Sequence, residues 1–281
     1  MQYTEWGERA ARIHSKTVDV HGTKVHYQVT DQTRASEMPV HLLVPNPANS
    51  ASNWLDVLAE LRPHVHAIAV DLPGTIAGET ELPNRRAASF EANVLFLRDF
   101  ADALGLDRVT VHGWSAGGMI ALLFADQAPE RVDGLVLVAP ALPPPLSDGE
   151  ARMWRTLGRA GLALIAPVAR VLLRVSGRRI LAAKLRLTPD PASIAGTKMS
   201  PEIAGLMRDE MSAVEPTRFG RAVTVYASVM SLMLVRRRPV LDAMHRVAAP
   251  TLLVWGDEDR VCARASIDDW TAQCPDWNLA V

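Results

Sequence analysis

The stretch that decides the fold is VTVHGWSAGGMIALL, residues 109–123. Val109–His112 is an apolar run typical of a strand covered on both faces. Gly113-x-Ser115-x-Gly117 follows at once, and an apolar segment with the composition of a helix continues from there. A strand before this motif and a helix after it predict an elbow, in which small residues let strand and helix approach closely. We therefore expect Ser115 to occupy a strained turn at the carboxyl edge of a sheet; the alternative is a serine that only caps the helix.

Short strand-like runs recur on both sides of this segment. Val25–Val29 alternates apolar and polar residues, which predicts a half-exposed edge strand. Nearly continuous apolar runs predict buried strands at 41–44, 66–70, 135–138 and 251–255. Between two of them, 90–104 carries apolar residues at helical spacing and ends before Gly105, a plausible helix cap. Strands alternating with helices predict an α/β fold, a mostly parallel sheet with helices on both faces.

The rhythm breaks once, between Val138 and Thr251. This span opens with Pro143-Pro144-Pro145 and continues with helix-like segments that contain no convincing strand. We interpret it as a helical cap, residues 142–246, inserted into a core formed by 1–141 and 247–281. A separate helical domain is the alternative.

Composition excludes several classes of protein. The 281 residues are 48% hydrophobic with a net charge of −1 and two cysteines, which fits neither disorder nor a disulfide scaffold. With 30 basic and 31 acidic residues, no bulk field favours nucleic acid. The longest apolar stretch, Gly161–Gly177, is interrupted by Pro167 and Arg170 and is short for a membrane span. We expect a soluble, cytoplasmic protein.

With these motifs in hand, the chain resembles the α/β-hydrolase superfamily, and within it the capped, esterase-like serine hydrolases. The resemblance extends over nearly the whole sequence. It rests on the elbow together with Asn53-Trp54, Asp71-Leu72-Pro73-Gly74, the segment 131–138, and Pro250-Thr251-Leu252-Leu253-Val254-Trp255-Gly256-Asp257-Glu258-Asp259.

The resemblance implies roles for individual residues. Ser115 would be the nucleophile, the backbone N–H of Ala116 would contribute to the oxyanion hole, and Asp259 would orient a catalytic histidine. Asp257 is the second choice for the acid, and both carboxylates have the alternative of capping the next helix. No cofactor is implied, and no ligand cluster has the spacing of a metal site.

The sequence departs from the family pattern at two places. Every histidine precedes Asp259, whereas the family's base follows the next strand; here that strand begins at Asn278, so the triad histidine is expected beyond Val281. Counting back from Trp54 places Pro45, Asn46 and Pro47 where the family has its oxyanion loop. Proline has no N–H to donate, so Ala48 or the side chain of Asn46 would have to substitute.

The resemblance predicts hydrolysis of a carboxylic ester or related acyl substrate, a small apolar molecule. Trp114 would line the acyl pocket or fill space under the cap, and Asn46 would lie at the same pocket. Thioesterases, carbon–carbon bond hydrolases and cofactor-free haloperoxidases share the triad, so the fold does not choose among them. The alternative is a non-catalytic relative that binds a ligand or acts as a scaffold.

The insertion also contains a basic amphipathic segment. Arg152, Arg155, Arg159, Arg170, Arg174 and Arg178 recur at spacings of three and four, with aliphatic residues among them. Such a helix can lie on an anionic membrane, but a cap helix with a solvated arginine face is the more ordinary interpretation. The sequence does not indicate an oligomeric state.

Overall fold

A computed structural model describes residues 12–31, 38–47, 49–82, 89–187, 201–214, 216–259 and 261–281. Its strands are β1 (Ile13–Val20), β2 (Thr23–Thr30), β3 (Val40–Val44), β4 (His66–Val70), β5 (Val109–Trp114), β6 (Val132–Val138), β7 (Thr251–Val254) and β8 (Asn278–Ala280). They form a sheet with the order β1-β2-β4-β3-β5-β6-β7-β8. The neighbours from β4 to β8 are parallel, whereas β2 is antiparallel to both β1 and β4. The predicted α/β class with a mostly parallel sheet is confirmed.

Helices cover both faces of the sheet. They are α1 (Leu55–Leu61), α2 (Phe90–Ala103), α3 (Ala116–Gln127), α4 (Asp148–Met153), α5 (Arg159–Leu187), α6 (Pro201–Ala213), α7 (Pro216–Met230), α8 (Arg238–Arg246) and α9 (Arg264–Gln273). Successive residues of β3 point to opposite faces, so Leu42 joins the apolar core beneath α2, α3, α8 and α9, and Leu43 joins the core beneath α1 and α6. Ten consecutive residues of α3, from Ala116 to Ala125, are buried, as expected for a helix enclosed by the fold.

The structure corrects the prediction of an edge strand at Val25–Val29. The edge is β1, which the sequence analysis missed, and β2 lies between β1 and β4. The polar residues His26 and Gln28 are as buried as their apolar neighbours. Buried hydrogen-bond partners therefore produce the same alternating pattern that a solvated face would.

All described elements between β6 and β7 are helical, which agrees with the expected composition of the insertion. One of them, α8, packs against α3 and contributes Val240, Ala243 and Met244 to the core. The division into a core and a cap at 142–246 stays a prediction. The apolar stretch 161–177 lies inside α5, which continues through Pro167 rather than being interrupted there.

Candidate active site

Ser115 lies in the turn that joins β5 to α3. Its backbone dihedrals are φ 54° and ψ −120°, a strained conformation that a residue with a Cβ rarely adopts. Hydrogen bonds fix the turn, since the Ser115 N–H donates to Val138 O at 2.9 Å and the Ser115 carbonyl accepts from Gly118 N at 2.9 Å. The hydroxyl makes no capping hydrogen bond to α3. The structure thus favours the elbow over a serine that only caps the helix.

Close packing explains the glycines around this turn. A Cβ on Gly113 would stand 2.5 Å from Gly117 O, and one on Gly118 would stand 2.8 Å from the Cβ of Pro140. Real Cβ atoms essentially never make such contacts. The strand and the helix can therefore approach this closely only because both positions are glycine, which has no side chain.

The loops after β5 and β7 come to the same edge of the sheet. Trp114, Val138 and Val254 are consecutive register partners across the three strands β5, β6 and β7. Ser115 follows the first of them, and Asp259 lies a few residues after the third. Because parallel strands end at the same edge, the fold brings the predicted nucleophile and the predicted acid to one edge, with β6 between their strands.

Hydrogen bonds within its own loop hold the Asp259 carboxylate. Its Oδ1 accepts from Val261 N at 2.7 Å and from Cys262 N at 3.0 Å. The helix that follows begins at Arg264, with Ala263 in the capping position, so Asp259 shapes the loop rather than capping α9. Asp257 is exposed in the preceding turn. Of the two carboxylates, Asp259 is therefore the one whose position the backbone of its loop fixes.

The loop after β3 approaches the elbow from the other side. Asn46 is half-buried, and its Oδ1 accepts a hydrogen bond from the Tyr226 hydroxyl of α7 at 3.3 Å. Ala116 is buried as the first residue of α3, where helical N–H groups have no partner within the helix. Ala48, the other predicted donor, lies outside the described residues.

Trp114 is half-buried beside Ser115. It packs against the smaller core, to which Ile203 and Leu206 of α6 also belong. This core therefore links the strand end beside the elbow to the inserted helices. The packing of Trp114 fits the filling of space at that junction, and the prediction that it also lines an acyl pocket stays open.

None of the histidines in the described part of the chain hydrogen-bonds to Ser115. His112, three residues before Ser115, bonds through Nε2 to Nδ1 of His41 at 2.8 Å. Burial, with a smaller contribution from His41, lowers the pKa of His112 to about 3, so it is a poor proton acceptor. His245 is exposed on α8, as predicted. Among the described residues, no histidine hydrogen-bonds to Ser115 or Asp259.

A family comparison decides the relationship suggested by this geometry. Residues 42–281 match the model of the Alpha/beta hydrolase family. The chain belongs to this family. The chain is 27% identical over 248 residues to an uncharacterized protein of Mycobacterium tuberculosis, covering 86% of this chain and 66% of that protein. It is 28% identical over 214 residues to a monoacylglycerol lipase of Xenopus laevis, covering 74% of this chain and 58% of the lipase. It thus spans somewhat less than two thirds of either relative.

Solved structures show the same fold. A putative lipase from Acinetobacter baumannii superposes with a TM-score of 0.68 at 22% identity, covering 99% of this chain and 88% of the lipase. At this identity the likeness concerns the fold alone, and the fold agrees with the prediction made from the elbow and the strand pattern.

The structure also contains a buried polar network that the sequence analysis missed. His26 Nε2 lies 2.7 Å from Ser15 Oγ, and His26 Nδ1 lies 2.7 Å from Asp71 Oδ2. The same carboxylate accepts from the backbone N–H groups of Ala51 and Glu79. Burial alone would lower the pKa of His26, but the hydrogen bond to Asp71 and the charge of that residue raise it overall.

Ser15, His26 and Asp71 are hydrogen-bonded in the order Ser–His–Asp, but the serine is not in a turn between a strand and a helix. Ser15 lies within the edge strand β1, whereas Ser115 lies at the N-terminus of α3. Asp71 instead ties β2 to the loop after β4 and to the turn at 51–54. We interpret the series as structural. The DLPG motif at 71–74 could have indicated it, had the buried polar partners in β2 been recognised.

A second carboxylate connects α6 to the turn at 51–54. Glu210 accepts hydrogen bonds from Ser50 Oγ at 2.6 Å and from Ser52 Oγ at 2.5 Å. Ser52 also accepts from Gln28 of β2 at 3.0 Å. Burial raises the pKa of Glu210 despite the two serine hydrogen bonds, which lower it. The inserted helices are therefore held to the core by a carboxyl group whose pKa lies above its ordinary value.

This pKa gives a prediction for stability against pH. A raised folded-state pKa stabilises the fold fully below the ordinary pKa of glutamate, and that stabilisation is lost as pH rises through the raised value. Glu210→Gln should remove this loss. The difference in free energy of unfolding between the variant and the unmodified protein should therefore shift in favour of the variant as pH rises through the range above 4.5, the ordinary pKa of the group. Urea denaturation across this range measures the difference.

Glu210→Ala is the control for this experiment. It leaves the two serine hydroxyls without their acceptor and should cost about 1–3 kcal/mol. Groups that do not face Glu210 titrate equally in all three proteins and cancel in the comparison. His26 does not cancel completely, because the charge of Glu210 makes a small contribution to its raised pKa. Parallel pH profiles for the glutamine variant and the unmodified protein would contradict the assigned pKa.

Proposed function

We propose that this chain is a serine hydrolase of carboxylic esters or related acyl compounds. The observation that carries the proposal is the conformation of Ser115, which is strained at φ 54° between a buried strand and a buried helix. Strain of this kind persists where the surrounding structure fixes a reactive side chain. The Xenopus relative, a monoacylglycerol lipase, supports an ester as the substrate, and the half-buried Trp114 beside the nucleophile supports an apolar acyl group.

In the proposed reaction, Ser115 Oγ attacks the acyl carbonyl and forms an acyl-enzyme, which water then hydrolyses. The N–H of Ala116 holds the developing oxyanion. A histidine takes the proton from Ser115 and passes it to the leaving group, and Asp259 orients that histidine. Trp255 N donates to Ala280 O at 2.9 Å, so the loop of Asp259 begins beside the end of β8.

The second candidate is a non-catalytic relative that binds a ligand. Two observations favour it: Pro47 lies in the loop where an oxyanion donor is expected, and the described histidines contact neither Ser115 nor Asp259. A site with one oxyanion donor fewer would lose about 3–4 kcal/mol of transition-state stabilisation. The two candidates therefore differ in rate, which can be measured.

Labelling of the full-length protein with a fluorophosphonate distinguishes the candidates. We expect one adduct, on the proteolytic peptide that contains Ser115, together with hydrolysis of a short-chain aryl ester. Ser15 should remain unlabelled although it lies 2.7 Å from His26 Nε2, because it lies within a strand rather than at the N-terminus of a helix. An adduct on Ser15, or none at all, would reject Ser115 as the nucleophile.

A further inference from the structure

The outer side of α5 is apolar and exposed. Six aliphatic side chains there are between 59% and 78% exposed: Leu164, Ile165, Val168, Val171, Leu172 and Val175. In a helix with 3.6 residues per turn, they fall within an arc of about 120°. Exposed Leu157 and Met153 extend this stripe into the preceding turns. The solvent-facing side of a surface helix normally carries polar residues. A continuous exposed apolar stripe of this size therefore indicates an interaction surface.

The opposite side of α5 already has a partner. Helix α5 packs along α7, and Leu162 and Leu173 are half-buried while Gly177 is buried. These residues lie across the helix from the exposed stripe. The apolar stripe is therefore additional to the contact that holds α5 on the protein.

The charges of this segment indicate what covers the stripe. Residues 151–187 contain eight arginines and one lysine and no aspartate or glutamate, although the whole chain has a net charge of −1. Exposed Arg174 lies about 60° from one border of the stripe, and exposed Arg179 continues the line of the stripe one turn beyond Val175. Exposed Arg159 and half-exposed Arg170 lie on the other side of the helix. An apolar stripe with arginines beside it and at its end matches an anionic lipid surface, whereas two copies of so basic a helix would repel each other.

The helix is suited to lie on a membrane. Residues 148–177 are long and apolar enough to cross a bilayer by length and composition. Crossing would place Arg159, Arg170 and Arg174 in hydrocarbon, which is costly, and would separate α5 from α7. Lying in the plane of the surface puts the stripe among the acyl chains while the long arginine side chains reach the headgroups.

We propose that the exposed stripe of α5 docks onto an anionic phospholipid surface. The docking goes beyond the proposed chemistry and does not depend on it. Helix α7, which packs along α5, also carries Tyr226, whose hydroxyl bonds to Asn46 beside the elbow. Docking would therefore bring the elbow's neighbouring loop within two packed helices of the lipid surface.

Sedimentation with vesicles tests the proposal. The full-length protein should sediment with vesicles of phosphatidylcholine and phosphatidylglycerol, and at least about tenfold less with phosphatidylcholine alone, since each basic residue near an anionic surface contributes about 1 kcal/mol. High salt should weaken the binding. Leu172→Asp, in the middle of the stripe, should reduce it by at least about tenfold.

Leu95→Asp is the matched control. Leu95 lies on α2 and, like Leu172, is 59% exposed, but it lies outside the stripe, so this variant should bind as the unmodified protein does. Ser115→Ala should also bind normally, which separates failure of docking from failure of the proposed hydrolysis. Circular dichroism confirms that the variants are folded.

Three outcomes would overturn the proposal. One is the same sedimentation with and without phosphatidylglycerol. Another is equal loss of binding for Leu172→Asp and Leu95→Asp. The third is a dimer in sedimentation velocity that Leu172→Asp dissociates, which would assign the stripe to a second copy of the chain.

Discussion

Replacing Ser115 by alanine in the full-length protein should abolish ester hydrolysis, with a loss of at least about 10³-fold in kcat/KM, and should eliminate fluorophosphonate labelling. The reason is that no acyl-enzyme can form without the hydroxyl. Its removal should leave the fold intact, because that hydroxyl makes no capping hydrogen bond and alanine is no larger than serine. Aryl ester kinetics and a thermal melt measure the two effects separately.

Ser15→Ala is the control for this variant. Ser15 is hydrogen-bonded to a histidine that is bonded in turn to an aspartate, so it matches a triad in order but lies on an exposed strand. Its replacement should change activity by less than about twofold, since nothing there stabilises an oxyanion. If Ser115→Ala keeps the activity of the unmodified protein, the elbow is a relic of a catalytic ancestor and the chain is a binding protein.

The elbow could be predicted because its determinants are local. An apolar run, three close glycines and a second apolar run are contiguous from Val109 to Leu123, and local geometry then dictates the strained serine. The same holds for α2, which spans Phe90–Ala103 and is followed by Gly105 with φ 66°, as the helical spacing indicated.

The polar network could not be predicted in this way, because its members come from distant parts of the chain. His26 and Gln28 alternate with apolar residues, as polar residues do in a strand with one solvated face. They can be buried because the fold supplies hydrogen-bond partners: Asp71 bonds to His26, and Ser52 accepts from Gln28. Glu210, which bonds to Ser50 in the same region, lies on a helix 160 positions after that serine. A pattern of residue types does not show such partners.

The apolar stripe of α5 illustrates a different limit. Periodicity shows that a helix has two unlike faces, but it does not show which face another helix covers. The arginines between 152 and 178 were expected to face solvent, and several do. The tertiary contact with α7 uses the other apolar residues of α5, which leaves the stripe exposed as well.

The second large effect is expected at Gly117, in the first turn of α3. A Cβ added there would stand 2.5 Å from the carbonyl oxygens of both Val44 and Pro45. These atoms belong to backbone at the end of β3, so no flexible side chain can move aside. Gly117→Ala should therefore lower the free energy of unfolding by more than about 3 kcal/mol, at the upper end of the cost of overpacking.

Urea denaturation of Gly117→Ala beside Gly161→Ala tests this expectation. Gly161 lies inside α5, and an added Cβ there meets nothing within 4 Å, so its replacement should stabilise the protein by about 0.5–1 kcal/mol through helix propensity. The two substitutions are chemically identical and should act in opposite directions. Because the displaced backbone leads into the loop of Asn46, Gly117→Ala should also reduce ester hydrolysis in whatever fraction remains folded. A Gly117→Ala variant as stable as the unmodified protein would show that β3 and α3 are further apart at this turn than the elbow requires.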